Sequence, residues 1–360
     1  MSDLFPEPPA PSPQPPHGLD LPGLTATLRA AAEAVDTERR LPYEGLTAIA
    51  ERGLWGARVP REYGGLGLTG AQIFDVCEAI GAGCGVTALL YAQHLTALPF
   101  LLRWGGPDAP ALLRACAHGE AILGLASSQA TRRPGGPVKA AHVSDRLLMS
   151  GAVPWFSGVG LMTHALLAAD DPAADPDDGL AMAVVPFGPP AVSFSPPFDL
   201  IVLGGGQTCS ARVADLDVTG GLLDAPPTRA GVRAVMEGAE APLRGFNSGL
   251  AREALEICAN TPYAPPETRA VVDWLSARLD GLCVGLRGAI DTPGPAVEAH
   301  VAALLNLLWD LGRLVVSAGA GSSLKVGAPH NRIAREILYY QARTPYPYIA
   351  GLIGVHFGLF

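Results

Sequence analysis

Apolar residues recur at helical spacing over the first third of the chain. Leu24, Leu28, Ala31, Ala32 and Val35 fall on one face of a predicted helix. The same spacing predicts further helices over residues 43–53, 69–82, 86–104 and 107–118. The run 86–104 is apolar on nearly all sides, so we expect it to be the central helix of this group.

Short apolar or alternating runs replace the helical pattern from Glu120 onward, and turn residues separate them. The runs span residues 121–126, 138–143, 146–150, 164–169, 180–186, 191–194 and 209–216. Such spacing is typical of an antiparallel β-domain, here of about 100 residues, folded as a small barrel or sandwich.

Helical spacing returns after residue 226 and predicts four long helices, over residues 233–262, 267–290, 297–318 and 331–343. Long helices joined by short loops pack as an antiparallel bundle. The predicted fold class is therefore α+β. Its parts are a proline-rich tail at 1–20, an N-terminal helical domain at 21–119, a middle β-domain at 120–226 and a C-terminal four-helix bundle at 227–360.

The stretch from residue 59 to 68, Val-Pro-Arg-Glu-Tyr-Gly-Gly-Leu-Gly-Leu, joins two of the N-terminal helices. Glycine costs more backbone entropy than other residues inside a helix, and proline ends the helix before it. We therefore predict a sharp interhelical turn with a closely packed backbone.

Composition and charge narrow the possible partners. The chain has 360 residues, of which 49% are hydrophobic and 16% charged, so it can build substantial cores. Its formal net charge of -9 argues against nucleic acid or an anionic membrane as the main partner. An anionic cofactor remains compatible with that charge, because local arginines and helix N-termini bind phosphate on acidic proteins.

The six cysteines show neither CxxC spacing nor a zinc-type cluster with histidine, so no metal site is expected. They are predicted to be reduced, mostly buried thiols of a cytoplasmic protein, and no signal peptide is recognised. The most apolar segment, residues 301–316, is interrupted by Asn306, Asp310 and Arg313, so we predict a buried bundle helix there rather than a membrane span.

The 59–68 stretch closely resembles the "VPxEYGGLGL" junction of the acyl-CoA dehydrogenase family of flavoproteins. Residues 147–158, LLMSGAVPWFSG, resemble the family's "LxGxKxWITN", and residues 203–218 resemble "LGMRxTxSxxVxFxDVxVP". Residues 332–337, RIAREI, resemble its "RxxRDA". The α–β–α order agrees with that family over about residues 21–345, which implies FAD, an oxidoreductase activity and a homodimer or homotetramer.

The resemblance also implies roles for particular residues. Trp155 and Ser157 match the aromatic and hydroxyl residues that lie against the flavin ring. Ser127 and Ser128 stand in place of the flavin-binding "TEPxxGSD" loop, and Gly319 and Gly321 stand in place of the pyrophosphate loop. Tyr91 and His94, on the central helix, are implied to lie near the substrate.

The usual catalytic glutamate is missing. Its position falls at or near Thr344, and Glu336 is the last acidic residue of the sequence. Some family members carry the base on the first helix of the C-terminal domain, where Glu237, Glu240 and Glu253 are candidates and Glu240 is preferred.

Three functions therefore stay open. The leading one is FAD-dependent α,β-dehydrogenation of an acyl-CoA or related acyl thioester, which needs a carboxylate to remove the α-proton. The second is a flavin-dependent monooxygenase of the same fold, which needs no such base. The third is a non-catalytic paralogue that binds a ligand or partner.

Overall fold

The computed structural model describes residues 18–127, 134–175, 179–224, 228–262, 266–290 and 295–343. Five helices come first: α1 Leu21–Thr37, α2 Tyr43–Glu51, α3 Gly70–Gly83, α4 Gly85–Trp104 and α5 Ala109–Ala117. Helix α4 is buried on most of its surface and carries the fully buried Leu90, Leu95 and Leu98. Its predicted central position is confirmed.

Seven strands follow: β1 Leu123–Ala126, β2 Val138–Val143, β3 Arg146–Phe156, β4 His164–Asp170, β5 Leu180–Pro186, β6 Val192–Phe194 and β7 Cys209–Asp217. They form one sheet in the order β1-β4-β2-β3-β7-β6, with β5 paired to β4. The sheet is not antiparallel throughout as predicted, because β4 runs parallel to β1 and to the end of β2. Alternation of side chains reveals strands but not which strand pairs with which.

The described part of the C-terminal region contains five helices: α6 Arg229–Leu243, α7 Gly245–Ala259, α8 Pro266–Ala289, α9 Pro295–Gly319 and α10 Pro329–Arg343. The single helix predicted over residues 233–262 is wrong, since the chain breaks at Arg244 into α6 and α7. Pro242 has no N–H with which to continue the helical hydrogen bonds, and Gly245 opens the next helix.

The glycine-rich junction forms two 3₁₀ turns, Leu54–Gly56 and Arg61–Tyr63. Gly64 and Gly67 adopt positive φ angles of 84° and 56°, which favour glycine. The Leu66 N–H donates to the Gly56 carbonyl at 2.9 Å, which folds the segment back on itself. The predicted sharp turn is confirmed, and it holds Arg58 between the helices.

Helices α3 and α7 pack backbone to backbone. A Cβ at Gly81 would lie 2.7 Å from the Cα of Phe246, and one at Gly249 would lie 2.5 Å from the amide nitrogen of Ala82. These glycines therefore set the distance between the N-terminal helices and the C-terminal bundle.

All six cysteines are free and buried, as predicted.

By length and composition alone, α4 and the segment Val297–Leu324 would reach across a membrane, which is weak evidence by itself. The apolar window of α4 is 78% buried within the protein, as in a core helix, whereas that of the second segment is 33% buried. The helix predicted to be buried in the bundle, α9, is thus only partly buried, and Trp309 and Val316 on it are exposed.

Candidate functional site

The ends of β1 and β3 meet beside α4, and Gln93 joins them. Its side-chain oxygen accepts the Leu125 N–H at 3.4 Å, and its side-chain nitrogen approaches the Ser157 carbonyl at 3.5 Å. Ser127, two residues beyond Leu125, is buried at this same end of the sheet. Two of the predicted flavin-binding segments are therefore brought together, while Ser128 lies outside the described residues.

Trp155 offers an aromatic face at this end of the sheet. Its side chain is 54% exposed although it is large and apolar. The rings of Trp155 and Phe198 form a T-shaped pair, with centroids 4.9 Å apart and planes at 70°. Phe156, the next residue of β3, is fully buried. Because side chains alternate between the two faces of a strand, Trp155 points away from the core.

Beside this face lies a hydroxyl pair, because Ser157 Oγ and Thr208 Oγ1 are 2.7 Å apart. Only one of the two hydroxyl protons is used between them, so the other can be donated to an outside acceptor. The Gly158 N–H donates to the Gly206 carbonyl at 2.7 Å and holds the two segments in register. An exposed ring beside a hydroxyl donor suits a planar heterocycle with acceptor atoms on its edge, and a flavin fits that description.

Tyr91 and His94 lie in the core rather than in a substrate cavity, because neither side chain is measurably exposed. Tyr91 donates its hydroxyl to the Leu54 carbonyl at 2.5 Å. His94 Nδ1 accepts the Leu123 N–H at 3.1 Å, so its Nε2 carries the proton and donates to the Trp55 carbonyl at 2.9 Å. Burial lowers the pKa of His94 to about 4. We assign both residues a packing role in place of the predicted substrate contact.

Gly319 and Gly321 lie at the end of α9 and in the 3₁₀ turn Ala320–Leu324 that follows it. Gly319 is tightly packed, since a Cβ there would be 2.6 Å from the ring of His330. A Cβ at Gly321 would meet nothing within 4 Å. The turn packs against α9 and α10.

Each candidate base has a defined environment. Glu240 is 39% exposed and forms an ion pair with Arg244 at 3.1 Å, and Glu237 is exposed. Glu253 is buried against Arg29 and Arg332. Among the residues that the structure describes, no hydrogen bond or ion pair joins Glu240 to Trp155 or Ser157. Thr344 lies outside those residues.

Sequence reasoning missed Gln93 and Thr208. Thr208 lies within the segment that resembles "LGMRxTxS", so that motif contained the signal. Gln93 is a polar residue on a helix that is otherwise almost wholly apolar, which also marks it for a specific contact. No group of three or more potential metal ligands occurs in the described part of the chain.

Residues 24–120 match the family described as acyl-CoA dehydrogenase, N-terminal domain. The probable acyl-CoA dehydrogenase YngJ of Bacillus subtilis is 26% identical over 241 residues, which are 65% of this chain and 63% of that protein. The L-evernosamine nitrososynthase of a Micromonospora species is 28% identical over 369 residues, covering 89% of this chain and 85% of that protein.

Solved structures extend the likeness to the whole fold. Dibenzothiophene monooxygenase (TdsC) from Paenibacillus sp. A11-2 superposes with a TM-score of 0.78 at 18% identity, covering 94% of this chain and 95% of that one. At this level of identity the likeness shows a shared arrangement of helices and sheet, and nothing finer.

Proposed function

We propose that this chain, whose residues 24–120 match the acyl-CoA dehydrogenase N-terminal domain, is a divergent member of that family and a flavin-dependent monooxygenase that acts on a small organic molecule. The observation that carries this choice is the environment of the three candidate bases among the residues that the structure describes. Among the described residues, Glu240 and Glu253 are held by arginines and Glu237 faces solvent. Removal of an α-proton requires a carboxylate within hydrogen-bond reach of that carbon, whereas oxygenation does not.

A bound flavin would supply the electrons that activate molecular oxygen. This chain's own residues would hold it: Trp155 against the ring, the Ser157–Thr208 pair as a donor at the ring edge, and Ser127 nearby. Gln93 positions these groups by fixing the ends of β1 and β3. FAD remains our first choice, with Gly319 and Gly321 of a second subunit near its pyrophosphate. FMN is the alternative, since TdsC is also solved with FMN.

Trp155→Ala should weaken flavin binding about tenfold, because the ring loses its aromatic face. Trp274→Ala is the matched control, since Trp274 is 60% exposed but lies on α8. Fluorescence titration of the flavin-free protein with FAD and with FMN measures both affinities. Equal losses in the two variants would contradict the proposed ring site.

The activity test uses protein loaded with flavin, reduced under nitrogen and then mixed with ¹⁸O₂ and a substrate panel. The panel should contain nucleotide-linked amino sugars, indole and dibenzothiophene, in line with the relatives. Mass spectrometry is expected to find one heavy oxygen atom in a product. A protein that binds neither FAD nor FMN would exclude both enzymatic functions and favour a non-catalytic role.

Acyl-CoA dehydrogenation is the second candidate, and the similarity to YngJ favours it. Anaerobic reduction of the flavin by short-, medium- or long-chain acyl-CoA would support it over oxygenation. In that case Glu240→Gln should abolish flavin reduction and leave the flavin bound, while Glu237→Gln should have no effect. Flavin reduction at the parent rate in Glu240→Gln would remove Glu240 as the base.

We also propose a cytoplasmic homodimer or homotetramer. Trp309 and Val316 of α9 are 46% and 43% exposed, and Leu324 and Val326 are each 81% exposed. Burying such apolar surface against a second copy is favourable. Light scattering at micromolar concentration should show an oligomer for the parent and a monomer for Leu324→Glu/Val326→Glu, with Val143→Glu on β2 as the control. A parent that is already monomeric would refute the proposal.

A further inference from the structure

A groove of about 520 Å³ lies between the C-terminal half of α4 and helix α6. Its apolar walls include Pro99 and Leu102 from α4 and Ala234 and Val235 from α6. Two arginines, Arg58 and Arg103, also line it. The described residues that line it include no carboxylate, so this part of the groove combines apolar surface with positive charge.

The side chain of Arg58 is largely enclosed, and its hydrogen-bonding groups are only partly paired. Its Nη2 donates to the Ala239 carbonyl at 2.6 Å, whereas its buried Nε has no hydrogen-bond partner. Within the described residues it forms no ion pair, and the ionisable groups that influence it are Cys77 and Tyr91. Burial raises the pKa of both those groups, so both are neutral at physiological pH. Among the described residues, no charged group balances the Arg58 guanidinium.

An unpaired cation in a buried position is unfavourable, and an anion that enters the groove would relieve it. Carboxylates match the planar guanidinium through paired, charge-assisted hydrogen bonds. Arg103 is exposed at the same groove, where its guanidinium lies 5.5 Å from the ring centroid of Trp104, and it adds a second positive charge. The apolar walls suit a ligand whose remaining atoms are hydrocarbon.

We propose that this groove binds a carboxylate attached to an apolar body, with the carboxylate on Arg58 and the hydrocarbon between α4 and α6. Arg103 is exposed to solvent, so Arg58 is the one enclosed guanidinium of the groove, and a single carboxylate on it favours a monocarboxylate. The site does not depend on flavin binding, so it can be tested whether or not the proposed oxygenation occurs.

Isothermal titration of the full chain with octanoate, and with octanamide as the uncharged counterpart, tests the site. Octanoate should bind the parent at least about tenfold more tightly than octanamide does, because only octanoate forms charge-assisted hydrogen bonds. Arg58→Met should lose that preference, whereas Arg313→Met, on exposed α9, should keep it. Ala234→Trp should block both ligands because its side chain fills the groove. Since this variant keeps Arg58, it also tests the site if Arg58→Met fails to fold.

Two results would overturn the proposal. One is octanoate binding to Ala234→Trp with the parent's affinity, which would locate the ligand elsewhere. The other is equal binding of octanoate and octanamide to the parent, which would show that the arginine charge plays no part. Loss of flavin binding alone would leave the proposal intact.

Discussion

Arg332→Met should destabilise the folded chain by about 3–5 kcal/mol, the cost of leaving buried charges unpaired. Arg332 Nη1 lies 3.0 Å from Glu336 Oε1, and its Nη2 lies 3.6 Å from Glu253 Oε1. All three side chains are less than 10% exposed. Methionine would keep much of the volume and remove the only charge that Glu336 faces at hydrogen-bond distance within the described residues. Urea unfolding followed by circular dichroism measures the loss.

The pH dependence of this loss provides a second readout. Burial raises the pKa of Glu336 above its value in the unfolded chain, and Arg332 opposes that rise. Without Arg332, the pKa of Glu336 in the folded chain rises further. Protonated Glu336 then contributes to the variant's folding stability below the unfolded pKa, and this contribution is lost as the pH rises through the folded pKa. The deficit should therefore be larger at pH 8 than at pH 5.

Arg313→Met, which breaks the exposed pair with Asp310, should stay within about 0.5 kcal/mol of the parent. A similar small change in Arg332→Met would contradict the role of the buried charges.

Gly249→Ala is expected to destabilise by about 3 kcal/mol, at the upper end of overpacking costs. The added Cβ would overlap the carbonyl oxygen of Glu78 and approach the Ala82 nitrogen of α3. These are backbone atoms, so the clash can be relieved only by moving two helices apart. That movement would also disturb Glu78, which pairs with Arg252 at 2.7 Å and Arg287 at 2.9 Å.

Gly281→Ala is the matched control for this substitution. Gly281 lies within α8, and a Cβ there would meet nothing within 4 Å. Alanine should therefore stabilise the helix by up to about 1 kcal/mol. Thermal unfolding should shift in opposite directions for the two variants. A shift in the same direction would show that helix propensity, rather than close packing of α3 on α7, dominates at Gly249.

Much of the fold was predictable because each element carries a local pattern. The helices of the N-terminal region and six of the seven described strands fall close to their predicted ranges, whereas β3, predicted over residues 146–150, continues to Phe156. The parallel pairing of β1 with β4 was not predictable, since it depends on contacts between distant segments. The break at Arg244 was missed because helical spacing of apolar residues continues across Pro242, where the backbone hydrogen bonds cannot.

The candidate site was predictable only where a motif fixed the residue. Trp155 and Ser157 come from the segment that resembles "LxGxKxWITN", and they do lie together at one end of the sheet. The sequence could not decide the roles of Tyr91 and His94, because a polar residue on an apolar helix has two explanations. Backbone carbonyls and amides satisfy it from within the core, or a ligand does. Only the coordinates show that Leu54, Trp55 and Leu123 supply the partners.

The attachment of β1 to α4 bears on how the chain folds as it is synthesised. Ile122, just before β1, bonds to Thr163, just before β4, and these residues are 41 positions apart in the sequence. Gln93 and His94, by contrast, are already outside the ribosome when β1 emerges, and they bind its amides directly. We expect α4 to hold β1 in place while β2 and β3 form a hairpin, so that β4 then pairs between β1 and β2 before the later strands add.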